Sequence, residues 1–343
     1  AVDWEQSLGA LGQVTSAVLV DMDEDGDTDL LVSRDLGAIG LYHNRGDRFV
    51  DVSEAFGMLE FVGLWQGLAV GDFDNDGRVD FAAGNLGRNS PMELYPDGLV
   101  HLGRGGKSPV SLYAIKRGSV HLPVDDMDLY ANVVDRARLP AMYRQFSDID
   151  LAKVLDSFDG LRRTRLNCFE TSVFLNRGGK FERRALPYPA QFSPTSGINV
   201  ADFDNDGRED LLLSQNLYSL RPDWGRLDSS AGMILLGQGD GRFEPVRAGS
   251  SGLAILGDSR NASVVDFNRD GRTDIVATQT LGQTQVYLGQ AGKPGIRVGF
   301  AANNSLARRL GARVRLVYPD GSMSPRRWFH SGDGVMAQCA PEQ

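Results

Sequence analysis

The stretch DFDNDGREDLLL, residues 202–213, combines a dense acidic loop with an apolar run. Five of its first nine residues are acidic, and three leucines follow directly. Carboxylates held a few ångströms apart repel one another unless a cation lies among them. Asp202, Asp204, Asp206 and Asp210 stand at positions 1, 3, 5 and 9, and Gly207 at position 6 permits a sharp turn. The pattern predicts a cation-binding loop that leads into a buried strand.

The spacing points to calcium as the cation. Oxygen ligands that alternate along a loop with a glycine at position 6 form the front half of an EF-hand calcium loop. This loop differs from an EF-hand, because its closing carboxylate is at position 9 and a β-type run replaces the helix. Ca²⁺ takes six to eight oxygen ligands, so the four side chains, the backbone carbonyl of Arg208 and water are expected to complete the shell.

The same loop recurs three times, as DMDEDGDTDLLVS (21–33), GDFDNDGRVDFAAGN (71–85) and DFNRDGRTDIVATQ (266–279). Up to four Ca²⁺ ions are therefore predicted. The residue at position 7 is expected to contribute its backbone carbonyl, and Asn268 supplies an uncharged oxygen at position 3. The predicted ligands of these loops are Asp21, Asp23, Asp25, Asp27 and Asp29; Asp72, Asp74, Asp76, Arg78 and Asp80; and Asp266, Asn268, Asp270, Arg272 and Asp274.

Composition agrees with a mostly β protein whose acidity is local. The 343 residues include 41 glycines and carry a formal charge of −9, most of which four Ca²⁺ ions would offset. No basic stripe with interleaved aromatic residues is present, which argues against nucleic-acid binding. No apolar run of about 20 residues is present either, so no membrane span is predicted. Cys168 and Cys339 are a candidate disulfide whose formation depends on their distance in space.

The repeat period predicts a β-propeller. The first ligands of the loops stand at 21, 72, 202 and 266, and small sheets repeated at such intervals are typical of propeller blades. The long gap between the second and third loops suggests a further blade without a metal loop, with GGKSPVSLYAI (105–115) as its strands. Hairpin patterns at 41–49, 173–181 and 233–243 support the same architecture.

These loops and hairpins together resemble the FG-GAP or VCBS-type repeats of integrin α-subunit propellers and of many secreted bacterial proteins. The segment 303–338 is similar to the ASPIC/UnbV module. The resemblance implies an all-β protein with a propeller of about five to seven blades over residues 1–295 and an ASPIC/UnbV-like module over 296–343. Within the propeller, a helical insertion is predicted at about 125–160, because Leu151, Val154, Leu155 and Phe158 follow helical spacing.

Catalytic patterns are weak in comparison. The four histidines are scattered, and His43 is interpreted as an exposed or packed residue of a hairpin. Gln191, Ser193 and Thr195 form a polar cluster that either faces the propeller channel or simply makes a turn. Arg326, Arg327 and Trp328 either bind an anionic partner or form a solvated edge.

The leading functional hypothesis is a non-catalytic calcium-binding propeller that acts as a scaffold for a protein or glycan partner. The alternative is an enzyme, or an accessory subunit of a biosynthetic or surface complex, with its site in the propeller channel. Short loops of this type bind Ca²⁺ in roughly the 10⁻⁴–10⁻³ M range, and cytosolic calcium would leave them empty. An extracellular or periplasmic location is therefore expected.

Overall fold

The computed structural model describes residues 8, 11–90, 99–104, 110–117, 120–124, 127–131, 139–140, 143–151, 162–218, 226–290, 294–296, 298, 312–321 and 323–329. Nearly all regular structure in these residues is antiparallel β-sheet. Four sheets follow one another along the chain as the blades of a propeller-like ring, which confirms the all-β prediction.

Each blade is a sheet of antiparallel strands. In blade 2, the chain leaves the sheet after two strands and returns later to form the other two. Blade 1 consists of β1 (Val14–Val20), β2 (Asp29–Arg34), β4 (Gly40–Asn44) and β5 (Phe49–Asp51), with a small side pair formed by β3 (Gly37–Ala38) and β6 (Val62–Gly63). Blade 2 consists of β7 (Leu68–Gly71), β8 (Asp80–Ala83), β13 (Ser172–Asn176) and β14 (Phe181–Ala185). Blade 3 consists of β15 (Thr195–Ala201), β16 (Asp210–Gln215), β17 (Met233–Gly237) and β18 (Phe243–Pro245). Blade 4 consists of β19 (Ser259–Val265), β20 (Asp274–Gln279) and β21 (Gln285–Tyr287).

The long gap between the second and third loops holds an inserted sheet. Its strands are β9 (Leu99–Arg104), β10 (Val110–Arg117), β11 (Val120–Pro123) and β12 (Arg162–Leu166), in the order β11-β10-β9-β12. The insertion separates β8 from β13, which nevertheless pair within blade 2. The prediction of an extra blade here is wrong, because blades 2 and 3 pack directly on each other through a shared core.

The predicted helical insertion is described only in part. Within 125–160 the structure describes α1 (Met127–Ala131) and α2 (Tyr143–Phe146), and elsewhere α3 (Ala248–Ser251). Short 3₁₀ turns cover Met58–Glu60 and Tyr188–Gln191. Leu151 is buried, whereas Val154, Leu155 and Phe158 lie outside the described residues. The helix proposed for them therefore remains a prediction.

The core consists of apolar layers between successive blades. Met22 and Leu31 of blade 1 pack with Phe81 and Phe174 of blade 2. The opposite face of blade 2 packs on blade 3 in the same way, and blade 3 packs on blade 4. Because side chains alternate along a strand, each sheet gives one face to the preceding blade and the other to the following blade.

The described part of the C-terminal segment forms a hairpin of β22 (Arg313–Val314) and β23 (Arg327–Trp328). Trp328 is only 2% exposed and belongs to the core between blades 1 and 2. The interpretation of residues 326–328 as a solvated edge is therefore wrong for Trp328. Most of the predicted ASPIC/UnbV-like module, including Cys339, lies outside the described residues, and the pairing of Cys168 with Cys339 stays a prediction.

Candidate metal loops and their surroundings

The four acidic loops have the same backbone conformation. Each loop connects the first two strands of one blade, and the glycine at position 6 has a φ of 81–96°. Position 4 is also left-handed in every loop, at Glu24, Asn75, Asn205 and Arg269, with φ close to 60°. A non-glycine residue with this φ is uncommon, and asparagine is among the residues that tolerate it best. The two asparagines were the sequence signal for this second turn.

Position 1 closes the turn through a hydrogen bond. In every loop its carboxylate accepts the N–H of the glycine at position 6; the Gly207 N to Asp202 Oδ2 distance is 2.9 Å. The carboxylate at position 5 likewise accepts the N–H of position 7, as between Arg208 and Asp206 at 2.8 Å. These bonds hold the carboxylates in the loop.

Position 9 fixes the loop to the blade. Asp210 Oδ2 accepts the Phe203 N–H from the loop, and Asp210 Oδ1 accepts the Gly237 N–H from the third strand, both at 2.8 Å. The three corresponding aspartates of the other loops make the same two bonds, and these are Asp29, Asp80 and Asp274. Like Asp210, all three are fully buried. The position-9 aspartate therefore holds the loop to the blade and is also a predicted ligand.

Burial strongly changes the acidity of these carboxyls. It raises the pKa of Asp80 to about 8, that of Asp210 to about 7 and that of Asp29 to about 6, although backbone N–H groups oppose the shift. Repulsion from neighbouring aspartates raises the pKa of Asp80 and Asp210 further. A cation near these groups would relieve both the desolvation and the repulsion.

The predicted ligands converge in three of the four loops. Ligand-type atoms lie within 4.8 Å of one another in three sets, which are Asp21, Asp23 and Asp25; Asp72, Asp74 and Asp80; and Asp202, Asp204 and Asp206. Loop 4 brings together no such group among the acidic and histidine residues that the structure describes. Its position 3 is Asn268, which donates to Asp270 Oδ2 at 3.1 Å.

The residues fit a cation because buried carboxylate oxygens remain unsatisfied. Asp21 Oδ1 and Asp74 Oδ1 are buried and have no hydrogen-bond partner among the described residues. A buried carboxylate oxygen without a partner is costly, and a bound cation would satisfy it. The role of the position-7 backbone carbonyls as ligands stays a prediction. The arginine side chains there bind the carboxylates at position 5 in loops 2, 3 and 4.

Several side chains around the loops were not identified from the sequence. Arg177 from the blade 2 hairpin binds Asp74, and buried Glu209 accepts the Asp72 N–H across the blade 2 to blade 3 junction. His43 places Nδ1 3.2 Å from Asp23 Oδ2 and is 5% exposed. It is thus a packed histidine, as one interpretation held, but it packs against a metal loop.

The C-terminal hairpin lies across the acidic loops. Arg313 and Arg326 bind Glu24 of loop 1, and the N–H of Arg326 donates to Asp72 of loop 2. Arg327 Nε lies 3.8 Å from Glu209 of loop 3. The anionic surface that this basic cluster contacts therefore belongs to the same chain.

The polar cluster predicted near the channel is satisfied internally. Gln191 exchanges hydrogen bonds with the backbone of Thr171, Ser193 Oγ lies 2.9 Å from Asn216 Oδ1, and Thr195 Oγ1 accepts from Gln215. All three residues are buried. These bonds lie in the connection from blade 2 to blade 3 and at the start of blade 3, at the end opposite the acidic loops, so the turn interpretation fits them.

The comparisons with known proteins agree with this architecture. Residues 5–83 match the model of the FG-GAP-like repeat. Over 207 residues the chain is 26% identical to cartilage acidic protein 1 of Xenopus tropicalis and 28% identical to the human protein of that name. The match covers 57% of this chain but only 28% and 27% of those proteins. Together with the ring of blades, the repeat match supports an FG-GAP-type β-propeller.

No described helix is long and apolar enough to cross a membrane.

Proposed function

We propose that this chain is a calcium-stabilised, non-catalytic propeller scaffold that binds a protein partner through the outer face of blade 4. The partner that fits is a further β-sheet blade with an apolar face. The proposal rests on one face of the blades. In blades 1, 2 and 3 this face packs on the following blade, whereas in blade 4 it is exposed.

Position 2 of the acidic loops shows the repetition clearly. Met22, Phe73 and Phe203 each reach into the core shared with the following blade. Phe267 occupies the same position in blade 4 and is 61% exposed. Because the large apolar side chains at the equivalent positions pack on the following blade, Phe267 is expected to be covered when its partner is present.

The strands of blade 4 continue the pattern. In blade 3, Leu212 pairs with Ile234 and both pack on blade 4. The corresponding pair in blade 4 is Val276 and Val286, and Val286 is 43% exposed. Val265 and Leu288 on the same face are also exposed. The surface continues an established interface, which argues for another blade as its occupant and for a total above four blades, within the predicted five to seven.

Blade 1 provides the complementary face for a test. Leu30, Val32 and Tyr42 are buried on one face of blade 1, where Leu8 and Leu11 pack on them. Deletion of residues 1–11 is expected to expose this face. A substitution in the same variant, Phe267→Lys, would prevent the truncated chain from associating with itself through its own blade 4.

The experiment mixes the double variant with the unmodified chain and follows mass by sedimentation velocity. We expect a one-to-one complex that is lost when the unmodified chain also carries Phe267→Lys. A complex that survives this change, or the absence of any complex, would contradict the proposal. Self-association of the unmodified chain that Phe267→Lys abolishes would identify a second copy as the occupant instead.

Calcium and location are proposed on the chemistry of the loops. Three loops converge oxygen atoms, and buried carboxylates there have raised pKa values. An extracellular or periplasmic setting supplies calcium at the concentration that such loops require. The alternative of an enzyme or accessory subunit gains no support from Gln191, Ser193 and Thr195, whose polar atoms bond within the chain.

A further inference from the structure

Loop 1 differs from the other loops by a histidine that faces its carboxylates. His43 is the residue before Asn44, whose N–H donates to Asp29. The residues before the equivalent donors in blades 2, 3 and 4 are Leu175, Leu236 and Leu288. Blade 1 therefore has an imidazole at a strand position next to the metal loop where the other three blades have leucine.

The register of blade 1 explains why the imidazole meets the loop. Leu30 pairs with Tyr42 and Leu31 with Leu41, so His43 lies opposite Asp29 on the same face of the sheet. Ligand atoms of Asp23, Asp29 and His43 all lie within 4.8 Å of one another. The cluster thus combines carboxylate oxygens from the loop and strand β2 with a nitrogen from strand β4.

Two further observations point to a ligand at this cluster. Asp21 is 2% exposed, and its Oδ1 has no hydrogen-bond partner among the described residues. The His43 ring is buried against Phe56, with ring centroids 5.5 Å apart, and is held with Nδ1 toward Asp23. A buried imidazole held against Asp23, in a loop whose buried Asp21 keeps an unpaired oxygen, is suited to bind a cation.

Calcium and magnesium prefer oxygen ligands, whereas imidazole nitrogen suits transition ions such as Zn²⁺. We infer that loop 1 binds a divalent transition ion of the Zn²⁺ type through His43, Asp23 and Asp29, while the oxygen-only loops take calcium. This inference rests on the proposed role of the loops as metal sites.

The surroundings allow the ion to enter. Arg45 Nη2 lies 3.2 Å from His43 Nδ1, and the Arg45 side chain is 49% exposed. An exposed guanidinium can turn toward solvent and be replaced by a metal of the same sign of charge. Two further cations lie near the loop, which are Arg313, 4.0 Å from Asp21 Oδ2, and Arg326, which binds Glu24.

The test titrates Zn²⁺ into the metal-free full chain in millimolar Ca²⁺ by calorimetry. Co²⁺ serves as a second probe, because its visible absorption changes with the coordination geometry and the ligand set of the bound ion. We expect one Zn²⁺ site, and we expect His43→Leu to weaken its affinity by about tenfold or more. Leucine is the residue that the other blades carry, which makes this variant a matched replacement. His43→Gln provides a second variant should leucine disturb the loop.

The reciprocal variant is Leu236→His, which places an imidazole opposite Asp210 in blade 3. We expect it to add a second Zn²⁺ site. Absence of Zn²⁺ binding to the unmodified chain, or unchanged binding in both His43 variants, would overturn the inference. Stabilisation by calcium is measured in parallel for the unmodified chain and the His43 variants. If calcium stabilises none of them, the proposed calcium role fails. If calcium stabilises them but Zn²⁺ does not bind, only the role of His43 is rejected.

Discussion

The main-chain N–H of Arg326 donates to Asp72 Oδ2 at 3.0 Å, although 254 residues separate the two positions in the chain. The bond joins the C-terminal hairpin to the first carboxylate of loop 2. Two residues further on, Trp328 enters the core between blades 1 and 2. The hairpin therefore connects blades 1 and 2 and also lies over their acidic loops.

Replacement of Trp328 by alanine is expected to destabilise the chain by about 3–5 kcal/mol, because a fully buried indole leaves a large cavity. Urea unfolding followed by circular dichroism measures this change. Val317→Ala in the same hairpin is the control, since Val317 is 71% exposed and the change is expected to stay within about 0.5 kcal/mol. Equal effects of the two changes would show that the hairpin is not anchored through Trp328.

Phe73 and Phe267 test whether the junctions between blades repeat. Phe73→Ala is expected to cost about 3–5 kcal/mol, because Phe73 is 2% exposed and packs edge-on against Phe243. Phe267→Ala is expected to change the free energy of unfolding by less than about 0.5 kcal/mol. A large loss of stability from Phe267→Ala in the isolated chain would mean that its side chain is already covered.

Substitutions of Asp210 and Asp204 distinguish the structural role of the loop from its metal-binding role. In metal-free solution, Asp210→Asn is expected to cost about 1–3 kcal/mol, since its amide nitrogen would face a backbone N–H. Asp204→Asn is expected to be neutral or slightly stabilising there, because the Asp204 charge disfavours ionised Asp210. Calcium should then stabilise the Asp204 variant less than the unmodified chain. Denaturant titrations with and without calcium measure both effects, and an equal calcium response in the Asp204 variant would remove it from the ligand set.

The buried carboxyls predict an unusual pH dependence for the metal-free chain. The folded-state pKa values of Asp80 and Asp210 are raised to about 8 and about 7, above the ordinary value of 3.8. The folded state therefore binds protons more tightly than the unfolded state, and the resulting stability is lost as the pH rises through these values. Metal-free protein should unfold at a higher temperature at pH 5 than at pH 8.

Calcium is expected to reverse this trend, because protons compete with the ion for the same oxygens. Thermal scans across that range, at constant ionic strength, give both profiles. A metal-free midpoint that rises steadily with pH would contradict the raised pKa values.

The acidic loops and the strands that follow them were predictable from the sequence because their contacts are local. Position 1 to position 9 of each loop span nine residues, and the apolar strand follows at once. The β8 to β13 pairing was not predictable, since Phe81 and Phe174 become neighbours only when the intervening sheet folds as an insertion. Apparent periodicity alone suggested an extra blade in its place.

The surroundings of the loops depend on contacts between distant segments. His43 resembles an ordinary hairpin residue until the sheet register places it opposite Asp29. Arg326 and Trp328 suggested a solvated edge because nothing in the local pattern links them to blades 1 and 2. An alignment of the hairpins by position would have shown histidine where the other blades have leucine, and this was the one available signal for the loop 1 cluster.

In the proposed account, cations at the acidic loops hold the blades together. The thermal unfolding midpoint of the metal-free chain, measured with and without 10 mM Ca²⁺ at equal ionic strength near pH 7.5, tests this role. For affinities in the expected range, each occupied loop adds about 1.4–2.7 kcal/mol to the free energy of unfolding. We predict a large rise of the midpoint that Asp204→Asn reduces. An unchanged midpoint would contradict the claim and would leave the loops as hydrogen-bonded turns.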